Sequence, residues 1–130
     1  MQLLVDTHVV LWWTLEPHRI TARAREYILD PDWHGYVSDV TFWELAIKLS
    51  IGKLRLPVPL HPFMVNSYAD LGYAVPLPIR QLHILGVEQL PMHHRDPFDR
   101  LLVAQARQEN AVILSADRRF DDYGVERVWD

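Results

Sequence analysis

Apolar residues fall into short unbroken runs separated by stretches of helical spacing, and that alternation predicts the order of elements. Leu3, Leu4 and Val5 form a run suited to a strand buried on both faces. Asp6 and Thr7 end it and are placed to cap a helix over 8–15, which Pro17 closes. A second helix is predicted over 21–29, broken at Asp30-Pro31-Asp32. Residues 35–38 read as the next strand. After Asp39, Thr41 is placed to cap a helix over 42–50 that stops near Gly52. Pro57, Pro59 and Pro62 make residues 54–62 a loop. A helix over 63–71 follows, ending at Gly72, and then a strand over 73–77 that Pro76 confines to a sheet edge. Residues 79–85 predict another helix, with Gly86 and Pro91 marking its exit.

The strongest local signal comes next. Asp96 is a good N-cap, Pro97 suits the first helical position, and Phe98, Leu101, Leu102, Gln105 and Ala106 recur at helical spacing. Residues 111–115 are a clear strand, 117–120 a short helical turn and 126–129 a final edge strand. Strands alternating with helices imply right-handed crossovers. The predicted fold class is α/β, with a central parallel sheet of about five strands and helices on both faces. No repeat, low-complexity tract or linker divides the chain, so one domain over residues 1–130 is expected.

Composition narrows the chemistry. With 49% hydrophobic residues the chain can build a sizeable core. Cysteine is absent, which removes disulfides and thiolate metal sites and suits a reducing cytosol. Asp6 and His8 interrupt the first apolar run before it reaches signal or membrane length, so a soluble cytoplasmic protein is expected. A net charge of −4 excludes a broad basic coat for nucleic acid, and any such role must use a local site.

The acidic residues suggest where that site is. In an open parallel sheet, ligands bind beyond the carboxyl ends of the strands. Asp6 ends the first strand, Glu44 lies early in the helix after the second, and Asp117 follows the strand over 111–115. Asp99 starts a helix whose N-terminus falls at the same edge. Crowded carboxylates must be protonated, paired or bound to a cation, and hard oxygen ligands without cysteine suit Mg²⁺ or Mn²⁺. Each acid also has a plainer reading. Asp6 and Asp117 suit N-caps, Asp99 suits the N3 position, and Glu44 and Lys48 stand at i,i+4 as an exposed ion pair. Arg95, Arg100, Arg118, Arg119 and Lys48 lie near the acidic edge and can meet phosphates, with solvated surface charge as the alternative. The seven histidines lack a zinc-like pattern, and His93 and His94 are assigned to solvent or substrate. Trp12, Trp13, Trp43 and Phe98 are assigned to the core.

Four segments together carry a family resemblance. They are Leu3-Leu4-Val5-Asp6-Thr7-His8, Ser38-Asp39-Val40-Thr41-Phe42-Trp43-Glu44, Arg95-Asp96-Pro97-Phe98-Asp99-Arg100 and Leu114-Ser115-Ala116-Asp117-Arg118-Arg119-Phe120. In this order and spacing the chain resembles a PIN domain, and more narrowly the VapC-type ribonuclease toxins of toxin–antitoxin pairs. The resemblance implies a three-layer sandwich and a nuclease hydrolysing RNA phosphodiester bonds. Mg²⁺ or Mn²⁺ would be held by Asp6, Glu44, Asp99 and Asp117. Thr7, Thr41 and Ser115 are assigned to orienting the ligands, and Asp96, Arg100 and Arg118 to supporting or substrate contacts. Of the two neighbouring aspartates, Asp99 rather than Asp96 aligns with the family.

A cognate antitoxin and a homodimer are implied as well. Trp12, Trp13, Phe63, Met64 and Tyr68 exceed what one buried face of the first and fourth helices needs, which offers a surface for either partner. The rival readings are a PIN fold kept only for interaction and a receiver-like phosphoryl-accepting module. The latter wants a lysine after a late strand, and Lys53 is the last lysine here.

Overall fold

The computed structural model describes residues 1–130. Its strands are β1 (Gln2–Val5), β2 (His34–Ser38), β3 (Val75–Leu77), β4 (Val112–Leu114) and β5 (Arg127–Val128), and its helices are α1 (Thr7–Leu15), α2 (Ala22–Leu29), α3 (Asp39–Ser50), α4 (Leu60–Asp70), α5 (Gln81–Glu88) and α6 (Pro97–Gln108). Short 3₁₀ turns cover Pro17–Arg19 and Arg118–Tyr123. The five strands form one sheet in the order β3-β2-β1-β4-β5, every pair parallel. The α/β class and the two edge strands therefore follow the sequence pattern.

Alternation along β1 shows why both faces need helices. Leu3 and Val5 pack with Val9, Val10, Ile28, Leu45 and Phe63, whereas Leu4 packs with Leu102, Val103, Ile113 and Phe120 on the other side. The first cluster draws on α1 to α4, and the second is dominated by α6. No helix is long and apolar enough to cross a membrane.

Four local expectations are corrected. Helix α3 begins at Asp39, and Ser38 is the cap, its Oγ accepting from Val40 N–H at 3.0 Å; Thr41 lies inside the helix. Helix α4 starts at Leu60, before Pro62, because a proline in the first turn lacks only an N–H that has no intrahelical partner. Gly86 does not end α5. A Cβ there would stand 3.4 Å from Ala104 Cβ, so it permits the close approach of α5 to α6. Trp43 is 53% exposed rather than core, meeting the half-buried Phe98 edge-to-face at 5.1 Å.

Candidate active site

The carboxyl ends of β1, β2 and β4 deliver Asp6, helix α3 and Ser115 to one edge of the sheet. Asp6 occupies the capping position of α1, yet its side chain makes no capping bond. Its Oδ2 instead accepts from Ser115 Oγ at 3.0 Å, and His8 Nδ1 lies 3.7 Å away. The carboxylate is 3% exposed, and without a capping bond its side chain is not the plain cap that the sequence also allowed. It raises the pKa of His8, against the opposing effect of burial. Glu44 is also 3% exposed and accepts from Lys48 Nζ at 2.7 Å through Oε2. The i,i+4 pair thus exists, but its acid end is buried rather than exposed as expected. Thr7 and Thr41 are joined through their hydroxyls at 3.1 Å, which ties the start of α1 to α3 beside these acids.

Helix α6 presents its two aspartates differently. Asp96 is the cap, with Oδ1 accepting from Phe98 N–H at 2.8 Å and Asp99 N–H at 3.2 Å. Asp99 makes no capping bond, and its Oδ2 meets His94 Nε2 at 2.7 Å. Burial, then the charges of Asp6 and Asp96, push the Asp99 carboxyl up to about 7. Asp117 caps the 3₁₀ turn through Arg119 N–H at 3.0 Å, and its Oδ2 accepts from the Arg119 guanidinium at 2.8 Å. Burial alone would raise its pKa; the Arg119 contacts outweigh that and hold it below the usual value. Ser115 Oγ accepts from Asp117 N–H as well as donating to Asp6, linking the two acids through one hydroxyl.

Donor atoms of His94, Asp99 and Asp117 lie within 4.8 Å of one another. Asp6 and Glu44 stand outside that group; Asp6 is close enough for its charge to raise Asp99, and Glu44 for its charge to raise His8. His94 is the residue that sequence reasoning missed. It is buried, against the expectation of solvent or substrate. The available signal was its place two residues before the cap of α6, which no periodicity marks. Arg100 is corrected in the opposite sense. It is 8% exposed and donates to main-chain carbonyls and to Tyr123, which leaves no free face for substrate. Arg95 and Arg118 are exposed, and Arg119 is engaged by Asp117.

The donor set fits a hard divalent cation. Asp6, Asp99 and Asp117 are buried or half-buried carboxylates, and Arg119 is the one arginine or lysine bonded to them; burial first, and then the charges of Asp6 and Asp96, disfavours the ionised Asp99 that a bound cation would restore. The PIN domain family model matches residues 3–126. The chain belongs to the PIN domain family. This PIN domain is 26% identical to Ribonuclease VapC22 of Mycobacterium tuberculosis, over 98% of each chain. Its fold is shared with VapBC2 from Rickettsia felis bound to a DNA fragment from their promoter, at a TM-score of 0.72 and 14% identity over 100% of both chains. It is shared also with VapBC-5 of Mycobacterium tuberculosis, a member of the VapBC family of toxin-antitoxin systems, at 0.62 and 16% identity, over 99% of this chain and 98% of that one.

Proposed function

We propose that the chain is a VapC-type ribonuclease toxin, cytoplasmic, hydrolysing RNA phosphodiester bonds with Mg²⁺ or Mn²⁺ held by Asp6, Asp99 and Asp117 and supported by Glu44. The carrying observation is the grouping of Asp99 and Asp117 donor atoms within 4.8 Å at the edge where Asp6 also lies. A divalent cation bound there supplies charge neutralisation at the phosphoryl and leaving oxygens. Asp99 and Asp117 position it. Ser115 holds Asp6, the Thr7–Thr41 pair fixes the helix that carries Glu44, and Lys48 gives Glu44 a partner within its buried setting. Arg95 and Arg118 are the exposed cations that meet RNA phosphates. The expected outcome is RNA cleavage by the purified protein with Mn²⁺, lost on adding EDTA and restored by excess Mn²⁺. Cleavage indifferent to EDTA would overturn the metal-dependent reading, and metal binding without cleavage would favour a PIN fold retained for interaction.

Restraint of such a nuclease calls for a partner whose segment covers the acidic edge with a cation of its own. Likeness to Ribonuclease VapC22 and to VapBC structures supports an antitoxin in that role. Of the five residues offered for a partner surface, Trp12, Trp13, Met64 and Tyr68 are half-buried. Phe63 is buried, and Trp12 and Trp13 are covered by Arg19 and Arg25, whose guanidinium carbons sit 4.5 and 4.9 Å from the ring centroids. Exposed apolar residues also occur at Trp43 and Ile47 on α3 and at Ile51 just after its end, with Leu82 and Leu85 exposed on α5. A homodimer using the α3 face is part of this reading. Sedimentation at micromolar concentration should show a dimer that Ile47→Glu converts to a monomer; a monomeric parent protein removes the dimer.

A further inference from the structure

Residues 87–100 hold a set of contacts that the acids alone do not explain. Arg100, in the first turn of α6, donates through Nη1 to Pro91 O at 2.9 Å and through Nη2 to Val87 O at 3.2 Å and Leu90 O at 3.3 Å. Nη1 also donates to the Tyr123 hydroxyl at 3.3 Å. These carbonyls lie at the end of α5 and in the connection to α6; Val87 O also accepts from Leu90 N–H at 3.1 Å, while Leu90 O and Pro91 O have no main-chain donor. The Tyr123 hydroxyl in turn accepts from His94 N–H at 2.8 Å and donates to His94 O at 3.3 Å. The main chain of His94 is therefore gripped on both sides.

Its ring is fixed next. Nδ1 faces the N–H of Asp96 at 3.3 Å, so that nitrogen accepts and the ring proton resides on Nε2. Nε2 faces Asp99 Oδ2 at 2.7 Å and donates to it. With a hydrogen on Nε2 and an N–H against Nδ1, the imidazole has no lone pair free for a metal. Resting on the reading of Asp99 as a cation ligand, we propose that His94 is a positioning residue, whose Nε2–H holds Asp99 in one rotamer and leaves the other carboxylate oxygen for the cation. Arg100 and Tyr123 keep the His94 segment still. The stretch from His94 to Arg100 then works as one unit: clamp, cap and ligand.

Partners that orient a metal ligand are worth about 10- to 100-fold in metal affinity. Calorimetric titration of the RNA-free protein with Mn²⁺ reads this directly. His94→Ala should bind Mn²⁺ about tenfold or more weakly, while His94→Gln, whose Nε2–H reaches a similar position, should recover most of the loss. Tyr123→Phe, which removes the grip without touching Asp99, should weaken binding severalfold. Far-UV circular dichroism of each variant confirms folding, and if His94→Ala does not fold, the Gln and Phe variants decide. Asp99→Asn is the reference. If it loses Mn²⁺ binding while the foldable His94 and Tyr123 variants bind like the parent, the positioning role is overturned and the nuclease reading stands. If Asp99→Asn itself binds like the parent, both are overturned. Equal weakness of His94→Gln and His94→Ala, with directly coordinated nitrogen in the Mn²⁺ electron-spin-echo spectrum, makes His94 a ligand and overturns the inference.

Discussion

Asp99→Asn should abolish RNA cleavage and, in the same protein without metal, raise the melting temperature above neutral pH. The two effects share one cause. Burial and the charges of Asp6 and Asp96 lift the Asp99 carboxyl from 3.8 to about 7 in the folded chain. Between those values the folded chain keeps a proton that the unfolded chain has released, so stability falls as pH rises through that window and stays low above it. A tenfold difference in proton affinity between the two states corresponds to about 1.4 kcal/mol, and 1 kcal/mol moves the melting temperature of a chain this size by roughly 3–5 °C. The uncharged amide escapes that penalty while still accepting from His94. Its melting curve should lie several degrees above the parent at pH 8, converge with it near pH 4, and lose its advantage when Mn²⁺ is added to the parent. Loss of several kcal/mol of charge stabilisation should cut cleavage at least about a hundredfold. Asp96→Asn is the control: asparagine caps as well as aspartate, so cleavage should stay near the parent, and melting at pH 8 should rise only by the smaller share of the Asp99 penalty that the Asp96 charge supplies. An Asp99→Asn protein that melts below the parent at pH 8, or an Asp96→Asn protein that alone loses cleavage, would reverse the roles assigned to the two residues.

What the sequence discloses and what it hides divide along physical lines. Leu3-Leu4-Val5 and Val112-Ile113-Leu114 are legible because strands buried on both faces need unbroken apolar runs, and Pro76 marks β3 as an edge because it cannot donate to a second neighbour. The edge that gathers Asp6, Asp99 and Asp117 is legible from topology, since parallel strands joined by helices send strand ends and helix starts to the same side. Glu44 was readable in two ways, and the structure realises the ion pair with Lys48 without moving the acid from that edge.

Side chains whose partners are main-chain groups in irregular segments stay hidden. No periodicity announces that the connection from α5 to α6 leaves carbonyls for Arg100, so a basic residue beside an acidic edge reads as a phosphate contact. His94 is hidden for the same reason, because its role depends on an N–H two residues later and a carboxylate five residues later across a helix cap. Gly86 misled for another: glycine is a helix terminator by propensity and a contact residue by packing, and only the neighbouring Ala104 decides which.

Arg100 carries the second large effect, on stability rather than chemistry. Arg100→Leu should unfold the protein at a markedly lower temperature, because it strands the carbonyls of Leu90 and Pro91, takes one of two donors from Val87 O, which keeps Leu90 N–H at 3.1 Å, and weakens the bonding of Tyr123. An unmet buried polar group costs about 1–3 kcal/mol. Partial access of water to this connection brings the sum to roughly 3–5 kcal/mol, a large share of the ~5–15 kcal/mol that holds a domain together. By the same scaling the melting temperature should fall by about 10–20 °C. Arg100→Lys should recover little of this, since one ammonium cannot reach carbonyls on separate residues that a planar guanidinium bridges through Nη1 and Nη2. Loosening this connection also frees His94, so Mn²⁺ affinity should drop in whatever folded fraction remains at low temperature. Melting with and without Mn²⁺ distinguishes the assignments. A phosphate-binding arginine at the surface would leave melting within a few degrees of the parent and weaken only RNA binding, and that result would restore the substrate role the structure withdraws.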